Sequence, residues 1–239
     1  MHLENIVVDA VDPRLLGRFW EAALGCERLT DGADGFETRL SVDGGPVLDL
    51  CFQPVTGPPA TPPRLHLDLR GGVHQGSVVE RLLGLGARHV DIGQGEPPWV
   101  VLADPEGNPF CVMESRAAYV DTGPVAALPL DSADPDRDAQ LWAWLTGWVD
   151  VPGVVPRSLR HPSQRGPLLE LCPESGPKGP TKNRWHLDVR LETGDDPDAV
   201  AAGIVERGGR ELNPGWGELP WRVYADPSGN EFCVLPASH

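Results

Sequence analysis

The fourteen residues Trp99–Val112, WVVLADPEGNPFCV, return 122 positions later as WRVYADPSGNEFCV at Trp221–Val234, with ten of fourteen identical. A repeat of that quality constrains the chain more than any single element does: whatever the first half builds, the second builds again. Each copy has an apolar run, an Asp-Pro-x-Gly-Asn reversal and a second apolar run. Pro fixes one corner of the turn, and Gly and Asn tolerate positive φ, so each copy reads as a β-hairpin.

The rest of the first half falls into two similar strand–helix–strand blocks. Glu4–Ala10 has the β-branched content of a strand. Asp12 and Pro13 open a helix whose apolar stripe is Leu15, Leu16, Phe19, Trp20, Ala23 and Leu24, and Gly25 stops it. Glu37–Val42 and Val47–Gln53 read as strands joined at Asp43-Gly44-Gly45, and Pro54–Pro63 as a stiff connector. Arg64–Arg70, RLHLDLR, alternates cleanly, and a helix follows at about Ser77–Leu85 before the Trp99 hairpin.

Polar Ser115–Pro124 reads as the linker, placing repeat domains at 1–116 and 124–239 with 117–123 between them. The second half replays the order. Helices open at Asp134-Pro135 and Asp196-Pro197, Leu168–Cys172 matches Leu48–Cys51, and Arg184–Arg190 (RWHLDVR) matches Arg64–Arg70. Gly176–Arg184 replaces the proline-rich connector.

These motifs, Asp-Pro…Phe-Trp…Leu-Gly, Arg-x-His-Leu-Asp and Ala-Asp-Pro-x-Gly-Asn-x-Phe-Cys-Val, occur in the same order twice. They resemble the vicinal oxygen chelate superfamily, and within it the glyoxalase-like and bleomycin-resistance-type domains. The resemblance implies an α+β fold of four βαβββ modules, whose mixed sheets curl into two clefts with the helices outside. Modules of this superfamily pair within a half in some members and across halves in others. Strand alternation turns Asn5, Val7, Asp9, Asp49, Cys51, His66, Asp68, Cys111 and Met113 toward a cleft. Val8, Leu50, Leu67 and Val112 then pack under the helices.

Metal enzymes of that superfamily use ligands on the first and last strands of modules. His66 and His186 fall at a histidine position, but Asn5 and Ala127 stand at another, and Cys111 and Cys233 replace a glutamate. The expectation is therefore a site without metal. The alternative is zinc held by His66, Cys51 and Cys111, and by His186, Cys172 and Cys233. Buried cysteine also serves simply as a small hydrophobe. The expected ligand contacts are His66, Asp68, Trp99, Cys111, Glu170, His186, Asp188, Trp221 and Cys233, with Trp216 and Glu231 nearby and Trp20 and Trp142 in the core.

A formal charge of −15 argues against nucleic-acid or anionic-membrane partners. Five cysteines without framework spacing, no signal-peptide pattern and no membrane-length apolar run point to a reduced, cytoplasmic chain, monomeric or homodimeric. Two functions fit this resemblance. One is metal-independent binding of an antibiotic-like or aromatic small molecule. The alternative is a divalent-metal lyase, isomerase or dioxygenase. A structural double domain with self-filled clefts is a third possibility.

Overall fold

The computed structural model describes residues 1–32, 34–57, 61–215 and 217–238. The first module comprises β1 (His2–Ala10), α1 (Pro13–Leu24), β2 (Glu27–Asp31), β3 (Phe36–Ser41) and β4 (Val47–Pro54). The second comprises β5 (Asp68–Gly72), α2 (Gln75–Gly84), β6 (Arg88–His89), β7 (Val100–Ala103) and β8 (Pro109–Glu114). After a 3₁₀ turn at Ala117–Tyr119, the third holds β9 (Val125–Ser132), α3 (Pro135–Thr146), β10 (Val149–Val151), β11 (Arg157–Arg160) and β12 (Leu168–Pro173). The fourth holds β13 (Trp185–Arg190), α4 (Pro197–Glu206), β14 (Arg210–Leu212), β15 (Arg222–Ala225) and β16 (Glu231–Leu235). The expected βαβββ order is met four times, and the edge strands β2, β6, β10 and β14 complete it.

The modules pair across the halves. One sheet runs β14-β15-β16-β13-β1-β4-β3-β2, joining modules one and four; the other runs β10-β11-β12-β9-β5-β8-β7-β6, joining modules two and three. At each seam the first strands of two modules meet antiparallel, β1 on β13 and β5 on β9. Residues 1–116 and 124–239 are thus repeats of sequence, while each cleft draws on both.

Local chemistry explains the elements. Asp12 caps α1 by accepting from Leu15 N at 3.0 Å, and Gly25 ends it at φ 70°. Asp134 and Gly147 do the same for α3. One expected strand is shortened: of RLHLDLR, only Asp68 onward is ladder, with Leu65 held by an isolated bridge to Leu130. His66 N donates to the Pro129 carbonyl at 3.2 Å. Proline has no N–H to return the bond, so the ladder breaks there. In the other sheet Val7 stands opposite His186, and β13 runs unbroken.

The convex faces and helices share one apolar core containing Ile6, Val8, Leu50, Leu67, Val112 and Trp142, as the alternation requires. Trp20 joins the sheets, its ring 5.0 Å from Phe110 and 5.7 Å from Trp185 between centroids. Its indole N–H donates to Asp104, the turn aspartate of the β7–β8 hairpin, at 3.3 Å; Trp142 and Asp226 repeat this at 3.3 Å. The same Asp104 accepts from the amides of Glu106 and Asn108, closing the turn. Trp20→Phe loses that bond and part of the ring packing, so urea unfolding should show a loss of at least about 1–2 kcal/mol. A neutral result would show that neither the indole N–H nor its ring is needed at the seam between the sheets.

Candidate functional site

Each sheet carries the same three groups on its concave face. His186 and Asp188 project to one side of β13 because they are two residues apart. Cys233 lies beside Asp188 on the parallel neighbour β16. His66, Asp68 and Cys111 repeat the arrangement on β5 and β8. In each trio an imidazole nitrogen, a carboxylate oxygen and the sulfur lie within 4.8 Å of one another. The expected companions exchange places: Cys51 belongs to the sheet of His186 and Cys233, and Cys172 to the sheet of His66 and Cys111. The two zinc sets drawn from the sequence are therefore not assembled, and neither Cys51 nor Cys172 joins a trio. All five cysteines are free.

The first cleft, over the β1/β13 sheet, encloses about 1090 Å³ and is lined by Asn5, Cys51, His186, Asp188, Trp221 and Cys233 among others. Its floor holds unusual buried polar groups. His186 Nε2 lies 3.4 Å from Asp188 Oδ1 and 3.7 Å from Cys233 Sγ. Asn5 Nδ2 donates to Asp188 Oδ2 at 3.2 Å, while Asp188 Oδ1 and His186 Nδ1 have no hydrogen-bond partner among the described residues. Burial, reinforced by Lys182, pushes the His186 imidazole down to about 3. Burial also pushes Asp188 up to about 7, against hydrogen bonds from Asn5 and Cys233. The floor thus favours its neutral forms.

The second cleft, over the β5/β9 sheet, is occupied by the chain itself. Tyr119, from the linker, is buried with Cys111, Met113, Ala127 and Leu168. Its hydroxyl reaches Glu170 at 3.3 Å. The Arg116 guanidinium lies 5.4 Å from the Trp99 ring and 5.6 Å from the Tyr119 ring, between the two. Arg160 Nη2 holds the segment by donating to the Val120 carbonyl at 2.6 Å. His66 keeps 30% of its side chain exposed. Burial lowers its pKa, but the Asp68 hydrogen bond and charge, with Asp131 and Glu170 behind, leave it raised overall.

The glyoxalase-like domain profile matches residues 5–113 and again 127–235. The chain belongs to the glyoxalase-like family. Among solved structures, glyoxalase I from Zea mays is 17% identical with a TM-score of 0.66, covering 98% of this chain and 92% of its own. A putative dioxygenase from Bacillus subtilis is 15% identical with a TM-score of 0.63, covering 100% of this chain and 86% of its own. At those identities the likeness is one of fold. No curated protein matches the sequence.

Within this glyoxalase-like frame the remaining expected residues divide. Trp99 faces the filled cleft and Trp221 the open one. Glu170 and Asp188, both expected ligand contacts, sit in different sheets and so in different clefts. Glu231 is bound to Lys178 at 2.9 Å and to the Asn183 amide. Trp216 lies outside the described residues, as do Pro58–Ala60 of the connector. Sequence reasoning missed Tyr119, although it is the one aromatic in an otherwise polar linker. It also missed Glu37 and Lys182, which line the open cleft.

Strand register corrects one further equivalence. Glu170 pairs with Pro129 and Cys51 with Val7, so Glu170 corresponds to Cys51 rather than to Asp49. The matching Leu-x-Leu-Cys strings mislead by two residues, which leaves the facing side unchanged. Leu168 is the residue in register with Asp49.

Glu170 makes the filled cleft pH-sensitive. Burial first, then the charge of Asp68, raises its pKa to about 7 against the Tyr119 hydrogen bond. The folded chain then keeps a proton that the unfolded chain releases between about pH 4.5 and 7, so this group's contribution falls as pH rises through that window. Asp188 and Asp226, also raised to about 7, act in the same sense, and His186 in the opposite sense between about pH 3 and 6.5. Glu170→Gln should match wild type below about pH 4.5 and exceed it by on the order of 2–3 kcal/mol near pH 8. Denaturant titrations across pH read this, and a difference independent of pH would exclude it.

Proposed function

We propose that this glyoxalase-like chain binds one small organic molecule in its first cleft, and does so without a metal ion. The observation that supports this most is a cleft of about 1090 Å³ lined by the polar side chains of His186 and Asp188 together with Trp221. A few polar groups in a concave site orient a ligand, and the apolar walls supply its burial. Trp221, Val55 and Cys51 supply the apolar lining against which a flat body is buried. An aromatic or antibiotic-like metabolite fits both. The second cleft contributes scaffold, with Tyr119 in place of a ligand.

The test is a ligand-observed NMR screen of small aromatics. Hits should lose at least about tenfold in affinity in His186→Ala, the size of one buried hydrogen bond. They should be unchanged in His66→Ala, whose cleft is filled. Equal losses in both variants, or none in His186→Ala, would overturn the assignment.

A second reading rests on the same cluster. His186, Asp188 and Cys233 offer one nitrogen, one oxygen and one sulfur, a set suited to zinc with an open fourth position rather than to harder ions. Those three residues would hold it, and the ion would polarise a ligand oxygen. Against this set stands the Cys233 thiol, whose pKa burial and Asp188 push up, so that thiolate is disfavoured. Elemental analysis and Co²⁺ titration decide between the readings. A stoichiometric ion with a sulfur-to-cobalt absorption band lost in Cys233→Ser would establish the metal reading; a flat titration supports metal-free binding.

A further inference from the structure

We infer that the ligand of the open cleft is a cationic aromatic molecule, with its ring system on the Trp221 side and its positive group directed to Glu37. The inference rests on the binding reading above and adds the chemical class. It comes from comparing the two duplicated clefts, one of which shows what fills it.

In the filled cleft the occupant has three parts. A guanidinium, Arg116, is stacked on an indole, Trp99. An aromatic ring, Tyr119, covers Cys111 and Met113. A donor, the Tyr119 hydroxyl, ends on the buried carboxylate Glu170. The open cleft keeps the matching indole, Trp221, and the matching trio His186, Asp188 and Cys233. Its lining, among the described residues, includes no counterpart of Tyr119.

The carboxylate at the far wall has moved by one strand. Across the second sheet one register row reads Ser158, Glu170, Pro129, His66. The same row in the first sheet reads Glu37, Cys51, Val7, His186. The acid therefore stands three strand spacings from the histidine instead of two, roughly 14 Å rather than roughly 10 Å. A ligand that repeats the pattern must be longer than a tyrosine side chain by about one strand spacing.

Charge in the open cleft fixes the sign of the far group. Lys182 is taken by Asp9 at 2.7 Å, and Arg190 is taken by Glu4. Glu37 has no basic partner within ion-pair distance among the described residues, and its side chain receives only a long contact from Thr30 at 3.4 Å. Asp188, 7% exposed at its side chain, lines the same space. After the internal pairs are formed, Glu37 remains as a lining carboxylate without a basic partner among the described residues. An anionic ligand would meet like charge there, whereas a protonated amine or amidine gains a charge-assisted bond to Glu37.

Three probes on one skeleton test this: 4-phenylbenzylamine, 4-phenylbenzyl alcohol and 4-phenylbenzoate, titrated into the full chain by calorimetry. The expected order is amine, alcohol, carboxylate, with one site per chain and at least about tenfold between the first and the last. Glu37→Gln should bring the amine down to the alcohol without changing the melting temperature, and Trp221→Ala should weaken all three. Added salt should narrow the spread. Equal or tighter binding of the carboxylate, or an amine preference unchanged in Glu37→Gln, overturns the chemical class. If all three bind alike and all are lost in Trp221→Ala, the class falls while the binding reading stands. If none binds, or binding is indifferent to both Trp221→Ala and His186→Ala, both fall.

Discussion

Tyr119→Ala protein should lose about 3–5 kcal/mol of stability, the range for removing a large buried aromatic side chain, and recover part of it when p-cresol is added. Tyr119 is 3% exposed on a concave face and is hydrogen-bonded to Glu170. Its removal leaves an apolar hollow beside a carboxyl group that no longer has its donor. p-Cresol is the tyrosine side chain without its backbone, so it can refill the hollow and stabilise by mass action. Wild type, whose second cleft is already filled, should show little stabilisation. Thermal unfolding of both proteins with and without p-cresol reads the difference. A variant as stable as wild type, or one that p-cresol leaves unchanged, would mean the ring lies on the surface of the cleft rather than in it. Tyr119→Phe isolates the hydroxyl and should lose about 1–3 kcal/mol.

The linker shows why part of the site was hidden in the sequence. Ser115–Pro124 has no periodicity, and an isolated Tyr gives no sign of which surface it covers. Its burial depends on Arg160 and Gly166, which bind the carbonyls of Val120 and Asp121 from 40 and 45 positions away. By contrast, what alternates along one strand was legible. Asn5, Cys51, His186, Asp188 and Cys233 do face a cleft, and Ile6, Val8, Leu50 and Val112 do face the core. Short-range chemistry was equally plain: Asp12 and Asp134 cap their helices, and the Asp-Pro-x-Gly-Asn turns close both hairpins. The pairing of β1 with β13 has no local signature, because β5 carries nearly the same residues as β13. Which of two similar strands sits beside β1 decides which cysteine shares a cleft with which histidine, so the zinc sets failed at that step. The effect of Pro129 is similar: it is a break in β5 only once β9 is known to be its neighbour.

The cross-half pairing also makes a demand on the isolated halves. A chain of residues 1–116 should not give a folded monomer, although it contains a complete sequence repeat. Without the second half β1 loses β13, and β5 loses β9. Both orphaned strands lie at the centre of their sheets, so each half would expose two unpaired ladders flanked by apolar side chains. The convex core is divided as well, since Trp20 would lose Trp185 and keep Phe110. Pairing β1 with β5 inside one half would require Asp68 and His66 to take the places of Asp188 and His186. It would also require module two to turn back onto module one, which the present chain avoids. The expected result is therefore a fragment that self-associates or lacks a cooperative unfolding transition, with structure restored on mixing it with residues 124–239. Sedimentation and denaturant unfolding of each half, alone and mixed, measure this. A monomeric 1–116 that unfolds cooperatively would show that module choice is set by the linker and not by the strands themselves.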